Sequence, residues 1–214
     1  MRYYGLVVAA AAILAVSCTT DKKEYWPNGN IRSEIRMKDG VYNGPARYWF
    51  ENGNIQISCN YLDNKVDGLM KTYYPDGNIR EEQEFSLGFP HGKKTTWDIK
   101  GNLSLSCSFR NGKLHGRYTV WYPGRIIQME GNYIDGREDG IWLYYDASGK
   151  VIGEGNFTRG TGIQKAFYDN GALKQVTRYT DGEKDGDEIF YRPDGTTEVI
   201  NHYKLGKIRG KTLK

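Results

Sequence analysis

The chain has 214 residues, only 38% of them hydrophobic, with 27 Gly and 17 Tyr; this mixture excludes a helical bundle and suits short strands joined by tight turns. Its 30 basic and 26 acidic residues leave a formal charge of +4, spread without long runs. The clustered basic face typical of nucleic-acid binding is absent from this pattern, so no nucleic acid is expected as a partner.

The first segment, residues 1–17, carries Arg2 and then an apolar run from Leu6 to Val16. A run of about eleven residues is too short to span a bilayer as a helix, which needs roughly 20. It reads as a signal peptide. Its end, Leu14-Ala15-Val16-Ser17-Cys18, resembles a bacterial lipobox. That resemblance implies cleavage before Cys18, lipidation of Cys18 and anchoring in the cell envelope. Thr19, where inner-membrane lipoproteins carry Asp, points by the same resemblance to the outer membrane, on its periplasmic or surface side. Residues 18–24 are then expected to be the lipidated Cys and a short polar tether.

From residue 25 to 210 the chain repeats, and repeats outrank every other signal. Gly29, Gly53, Gly77, Gly101, Gly124, Gly149, Gly171 and Gly195 recur at intervals of 22 to 25 residues, most after Asn, Asp or another short polar residue. Asn-Gly and Asp-Gly are strong hairpin signals, because two-residue turns need φ > 0 at both positions. A second series runs Gly44, Gly68, Gly92, Gly116, Gly140, Gly162, Gly186, Gly210; a third runs Gly40, Asn64, Gly88, Gly112, Gly136, Gly160, Gly182, Gly206. The third mark precedes the second by four residues everywhere except Gly160 to Gly162. Read this way, the fifth repeat is one residue longer near Gly124 and the sixth lacks two residues at Gly160, and both places should show bulges or a bend.

Between the turns the residues alternate as strands do. Ile31, Ile55, Ile79, Leu103, Ile127, Val151 and Leu173 follow the first turn, and Met37, Tyr61, Phe85, Phe109, Tyr133, Phe157, Tyr179 and Tyr203 share their face. A further column is aromatic every time: Trp49, Tyr73, Trp97, Trp121, Tyr145, Phe167 and Tyr191. The predicted fold is an all-β, elongated antiparallel meander of about eight hairpins, roughly 16 strands in a single twisted layer about 75 Å long. Such a layer is stabilised by cross-strand neighbours rather than a central core. The aromatic columns are the expected substitute for a core, so truncating one of their residues, as in Trp97→Ala, is expected to cost about 2–4 kcal/mol. Residues 211–214 are expected to form a short basic tail.

These residues resemble the MORN-repeat variant: Gly-x-Ile/Leu, a later aromatic, [Asp/Asn]-Gly-x-x-x-Gly, and a Tyr/Trp pair closing on Asn-Gly. Gly53 to Gly68 followed by Tyr73-Tyr74-Pro75-Asp76-Gly77, and Gly171 to Gly186 followed by Phe190-Tyr191-Arg192-Pro193-Asp194-Gly195, show it best. The resemblance implies a β-meander used as a scaffold or binding surface; some bacterial relatives carry an antitoxin label, which fits poorly with export.

Candidate chemistry is sparse. Cys59 and Cys107 occupy one column two repeats apart, about 19 Å by strand spacing, beyond the ~7 Å reach of a disulfide. They read as free thiols in small inward positions. His91 and His115 sit before second-series glycines in neighbouring repeats, too far apart to share a zinc ion; His202 is alone. Glu81 and Glu82 point to opposite faces, and Gly153-Glu154-Gly155 is a gap in the column rather than a phosphate loop. No catalytic residue, metal site or cofactor is assigned. The expectation is a non-enzymatic envelope lipoprotein, membrane-attached through Cys18 and presenting a rod to a protein partner. One alternative is a carbohydrate-binding protein using the ladder Trp49, Tyr73, Trp97, Trp121, Tyr145 and Tyr191, with a glycan as ligand. Another is an exported antitoxin or immunity-like protein.

Overall fold

The structure, a computed structural model, describes residues 18–214; the expected signal peptide lies outside them. The described residues form strands β1 (Thr19–Tyr25), β2 (Ile31–Lys38), β3 (Val41–Trp49), β4 (Ile55–Leu62), β5 (Lys65–Val66), β6 (Gly68–Tyr73), β7 (Ile79–Ser86), β8 (Phe89–Trp97), β9 (Leu103–Arg110) and β10 (Lys113–Leu114). They continue as β11 (Gly116–Trp121), β12 (Ile127–Ile134), β13 (Arg137–Tyr145), β14 (Val151–Thr158), β15 (Thr161–Phe167), β16 (Leu173–Thr180), β17 (Glu183–Tyr191), β18 (Thr197–Lys204) and β19 (Lys207–Leu213). All belong to one open antiparallel sheet in meander order. The short β5 and β10 share a row with β6 and β11: β5 and β6 both pair with β4, and β10 and β11 with β9. The 16 expected rows are therefore present, with β1 as one more. Residues 19–24 are no tether: they pair with β2 along their whole length. Nor is residue 211 the start of a tail, because β19 pairs with β18 as far as Leu213.

Two turn types alternate, and they exchange the roles expected of them. The two-residue turns sit at the third glycine mark, where Asp39 (φ 51°) and Gly40 (φ 82°) join Lys38 to its partner Val41. Both central residues are left-handed, as a type I′ turn requires. At the Asn-Gly mark only the Gly is left-handed (Gly29, φ 88°). Gly29 N–H donates to Trp26 O and Trp26 N–H to Asn30 O, a type I turn followed by a G1 bulge. The fifth repeat is not longer than the others. Tyr122 N–H donates to Ile126 O across the same span as Tyr74 to Asn78. Its Gly124 stands one place early, which leaves Arg125 in the left-handed position (φ 66°).

The break in spacing at Gly160 also behaves differently from the expectation. Between the pairs Ile35↔Ala46 and Met37↔Tyr42, one residue of β2 faces three of β3. The same offset recurs in β7–β8, β12–β13 and β16–β17. In β14–β15 it is missing, and pairing runs unbroken from Gly153↔Ala166 to Thr158↔Thr161. The two-residue deletion removes a bulge instead of adding one.

Register assigns the faces. Ile35, Ala46 and Cys59 face one another in adjacent strands and form a buried cluster with Tyr42, Tyr48, Ile57 and Tyr61 packed around it. The same column reaches Trp142, 1% exposed, and the same face carries Phe157, 3% exposed. The opposite face carries cross-strand ion pairs such as Lys71–Glu82 (2.8 Å) and Lys165–Glu154 (3.0 Å), half-exposed and each worth little individually.

Candidate functional site

Successive repeats are tied along both edges. At the Asn-Gly edge, Trp26 Nε1 donates to Trp49 O (3.1 Å), Tyr74 Oη to Trp97 O (2.9 Å) and Tyr168 Oη to Tyr191 O (2.7 Å). Asn28 and Asn30 donate to Glu51 O, and Asn52 and Asn54 to Pro75 O. The asparagines around each Gly therefore close their own turn and reach the next. At the type I′ edge, each turn donates a backbone N–H one repeat back, as Gly88 does to Val66 O (2.7 Å) and Gly206 to Lys184 O (2.9 Å). The residue before a second-series Gly caps the next turn: Asp67 accepts from Leu87 N–H, Asp139 from Arg159 N–H and His115 Nδ1 from Asp135 N–H. That is the place of His115 in the fold. His91 is exposed, and His202 lies between Asp187 (2.7 Å) and Thr212 (3.1 Å).

Cys18 is exposed and belongs to the first of these turns. Its N–H donates to Asp39 Oδ1 (3.2 Å) and its carbonyl accepts from Asp39 N–H (3.1 Å). The lipidation candidate thus abuts β1 directly on the type I′ edge.

The ladder residues do not form the core. Tyr48 packs on the buried cluster, so its neighbour Trp49 points to the other face, and the same alternation applies to Tyr144 and Tyr145. Tyr145 Oη accordingly donates to Glu130 Oε1 (2.9 Å) on the charged face. Trp49, Tyr73, Trp97, Trp121, Tyr145 and Tyr191 are each half-buried, opposite Ile55, Ile79, Leu103, Ile127, Val151 and Thr197. The stabilising column is the one through Ile35, Ala46, Cys59 and Trp142.

Cys59 and Cys107 are free and buried in that stabilising column, with Met70, Gln83 and Lys94 between them on the intervening strands. Burial pushes both thiols up, Cys107 to about 11, which makes them poor nucleophiles at neutral pH. Among the described residues no three His, Cys, Asp or Glu side chains gather as metal ligands.

The face that carries this column also holds three carboxyl groups. Glu81 pairs with Lys94 (2.9 Å). Glu188, 4% exposed, accepts from Lys184 (2.5 Å), Gln175 (3.0 Å) and Asn201 (3.0 Å). Burial raises its pKa, but Lys184 and Asn201 outweigh burial and hold it below the usual carboxylate range. Glu138 makes no side-chain ion pair or hydrogen bond among the described residues, and burial pushes its carboxyl up. Alternating sequence gives each of them as one polar residue in a strand; their convergence depends on register.

The profile of the MORN repeat variant matches residues 21–39, 42–63, 66–86, 138–158 and 161–181. Each match covers a strand, the type I turn and the next strand, so the repeat begins at β1 and not at residue 25. The hairpins β8–β9, β11–β12 and β17–β18 have the same architecture without a match; Lys100 and Arg125 depart from the Asn-Gly pattern in the first two. A search of curated proteins finds no match to this chain.

Proposed function

We propose that this MORN-variant repeat protein is a non-enzymatic lipoprotein of the bacterial cell envelope, held at the outer membrane by Cys18 and displaying its sheet to a protein partner. The observation that carries the reading is the position of Cys18. It is exposed, precedes β1 without a linker and is hydrogen-bonded through its own backbone to Asp39. Acylation there holds the type I′ edge at the lipid surface and leaves the first repeat whole, and an N-acylated Cys18 keeps the N–H that Asp39 accepts. A single acyl chain anchors only weakly, whereas several chains on one residue anchor stably.

The half-exposed ladder then lies on the charged face, where a partner or a sugar ring can reach it. In cells grown with a clickable fatty acid, wild type should be labelled and partition into detergent, while Cys18→Ala is unlabelled and stays aqueous. Equal labelling of the two would overturn the anchor. Crosslinking in intact envelopes should capture a protein from wild type, and Trp121→Ala should reduce that capture at a temperature where the variant is still folded. Loss of glycan-array binding in Trp121→Ala, with no captured protein, would instead favour the carbohydrate reading.

A further inference from the structure

The shortened sixth hairpin opens a cavity on the aromatic face. Because β14–β15 lacks the bulge, the Arg159–Gly160 turn is drawn in and Gly160 is buried. Gly160 N–H donates to Glu138 O (2.6 Å) and its carbonyl accepts from Gly182 N–H (2.8 Å). The flanking turns meet over it, Arg137 Nη1 reaching Asp181 Oδ1 at 2.6 Å across two repeats. Opposite Met37, Tyr61, Phe85 and Phe109 in the first four units stand Tyr42, Val66, Pro90 and Leu114. The facing residue is then Glu138 opposite Tyr133, Gly162 opposite Phe157 and Lys184 opposite Tyr179. Beside the shortened hairpin lies a cavity of about 420 Å³ lined by Tyr133, Glu138, Gln164, Tyr179 and Glu183 beneath the Arg137–Asp181 pair.

The charges in and around this cavity are unbalanced. Arg137 is taken by Asp181, and neighbouring Lys184 is held by Glu188 at 2.5 Å with its ammonium 5.0 Å from the centre of the Tyr203 ring. Glu138 and Glu183 have no cationic partner among the described residues. Tyr179 Oη is turned to Gln164 Oε1 (3.1 Å) and its ring meets Phe157 edge-on (5.8 Å, 71°), so the Tyr179 ring is fixed as a wall. A half-buried carboxylate without a counter-ion, flanked by phenol rings, has the chemistry of an ammonium site: charge pairing below and π faces at the sides.

We propose that this cavity binds an alkylammonium group, with Glu138 as counter-ion and Tyr133 and Tyr179 as aromatic walls. The group can belong to a small amine or to a lysine side chain of a partner protein, which share this chemistry. The test uses the full chain in detergent, following amide and ring NMR shifts of Tyr133, Gln164 and Tyr179 during titration. Choline, butylamine and N-acetyl-lysine methylamide are the cationic probes, and 3,3-dimethyl-1-butanol is the neutral isostere of choline. Saturable shifts are expected with the cations, at least tenfold weaker with the isostere and at least tenfold weaker with Glu138→Gln.

Tight binding of choline assigns a small quaternary amine, and preference for the lysine derivative assigns a protein side chain. Glu138→Gln should fold at neutral pH. A carboxylate whose folded pKa is raised costs stability once it ionises, so its neutral replacement loses none. Equal binding of the isostere, binding of neutral sugars unaffected by Glu138→Gln, or no saturable shift by about 10 mM would overturn the proposal, since that corresponds to under roughly 3 kcal/mol of affinity.

Discussion

Replacing Trp142 by Ala should lower the unfolding free energy by about 3–5 kcal/mol, more than any other single truncation along the sheet. Trp142 is 1% exposed and is the largest fully buried side chain among the described residues. Its ring meets Tyr133 edge-on (5.0 Å, 79°) and lies 5.9 Å from Tyr118, and its Nε1–H donates to Asn132 O (3.2 Å). The space it fills exists because the neighbouring strands carry glycine in the same column. A Cβ on Gly131 would stand 2.2 Å from the indole, and Gly155 is the register partner of Trp142 on β14. Truncation therefore leaves a cavity whose glycine walls have no side chains with which to collapse. In urea or thermal unfolding Trp97→Ala should cost clearly less, about 1–2 kcal/mol, because it is half-buried on the charged face and leaves a site that solvent enters. Equal destabilisation by the two substitutions would mean that the ladder, and not the Cys59–Trp142 column, is the stabilising one.

That contrast shows where sequence reading reached and where it stopped. Three glycine series give the number of hairpins, because each turn must place a residue at φ > 0 and Gly or Asn does so at least cost. Arg125 misleads for the same reason in reverse. A left-handed Arg is uncommon, so a reader tracking glycine follows Gly124 and adds a residue to the repeat that is not there. Which face is buried was harder to find, since Tyr48-Trp49 and Tyr144-Tyr145 put aromatics on both faces at once. The available signal was the small residue across the strand: Ala46 beside Ile35 and Cys59, and Gly131 and Gly155 beside Trp142. Large rings need neighbours that yield, and cross-strand complementarity of size reports burial where aromaticity alone does not. The cavity at Glu138 was readable only as a missing pair of residues. Its walls come from β12, β13, β15, β16 and β17, and their convergence follows from the straightened register of β14–β15.

The straightened hairpin also makes Gly162 the least replaceable glycine of the array. An Ala Cβ there would stand 2.0 Å from Asn156 O, with Asn156 C and Phe157 Cα each at 2.9 Å. All three are backbone atoms, so no side-chain rotation relieves the contact, and β14 and β15 must part at the Phe157↔Gly162 pair. Gly68, Gly116 and Gly140 are spared this because the two extra bulge residues carry the chain away from the facing strand, and a Cβ on any of them would meet nothing within 4 Å. Gly162→Ala is expected to cost about 3 kcal/mol, at the upper end for overpacking. It should also raise hydrogen exchange at Asn156 and Ile163, leaving the β2–β4 amides unchanged as nearest-neighbour stability in a repeat array requires. Gly210→Ala is the matched control: its Cβ meets only His202 Cδ2 at an ordinary 3.5 Å, and its effect should lie within about 0.5 kcal/mol. A Gly162→Ala protein that melts with Gly210→Ala would show that the hairpin can regain its bulge, and the closed geometry around Gly160 would then be one of two accessible registers.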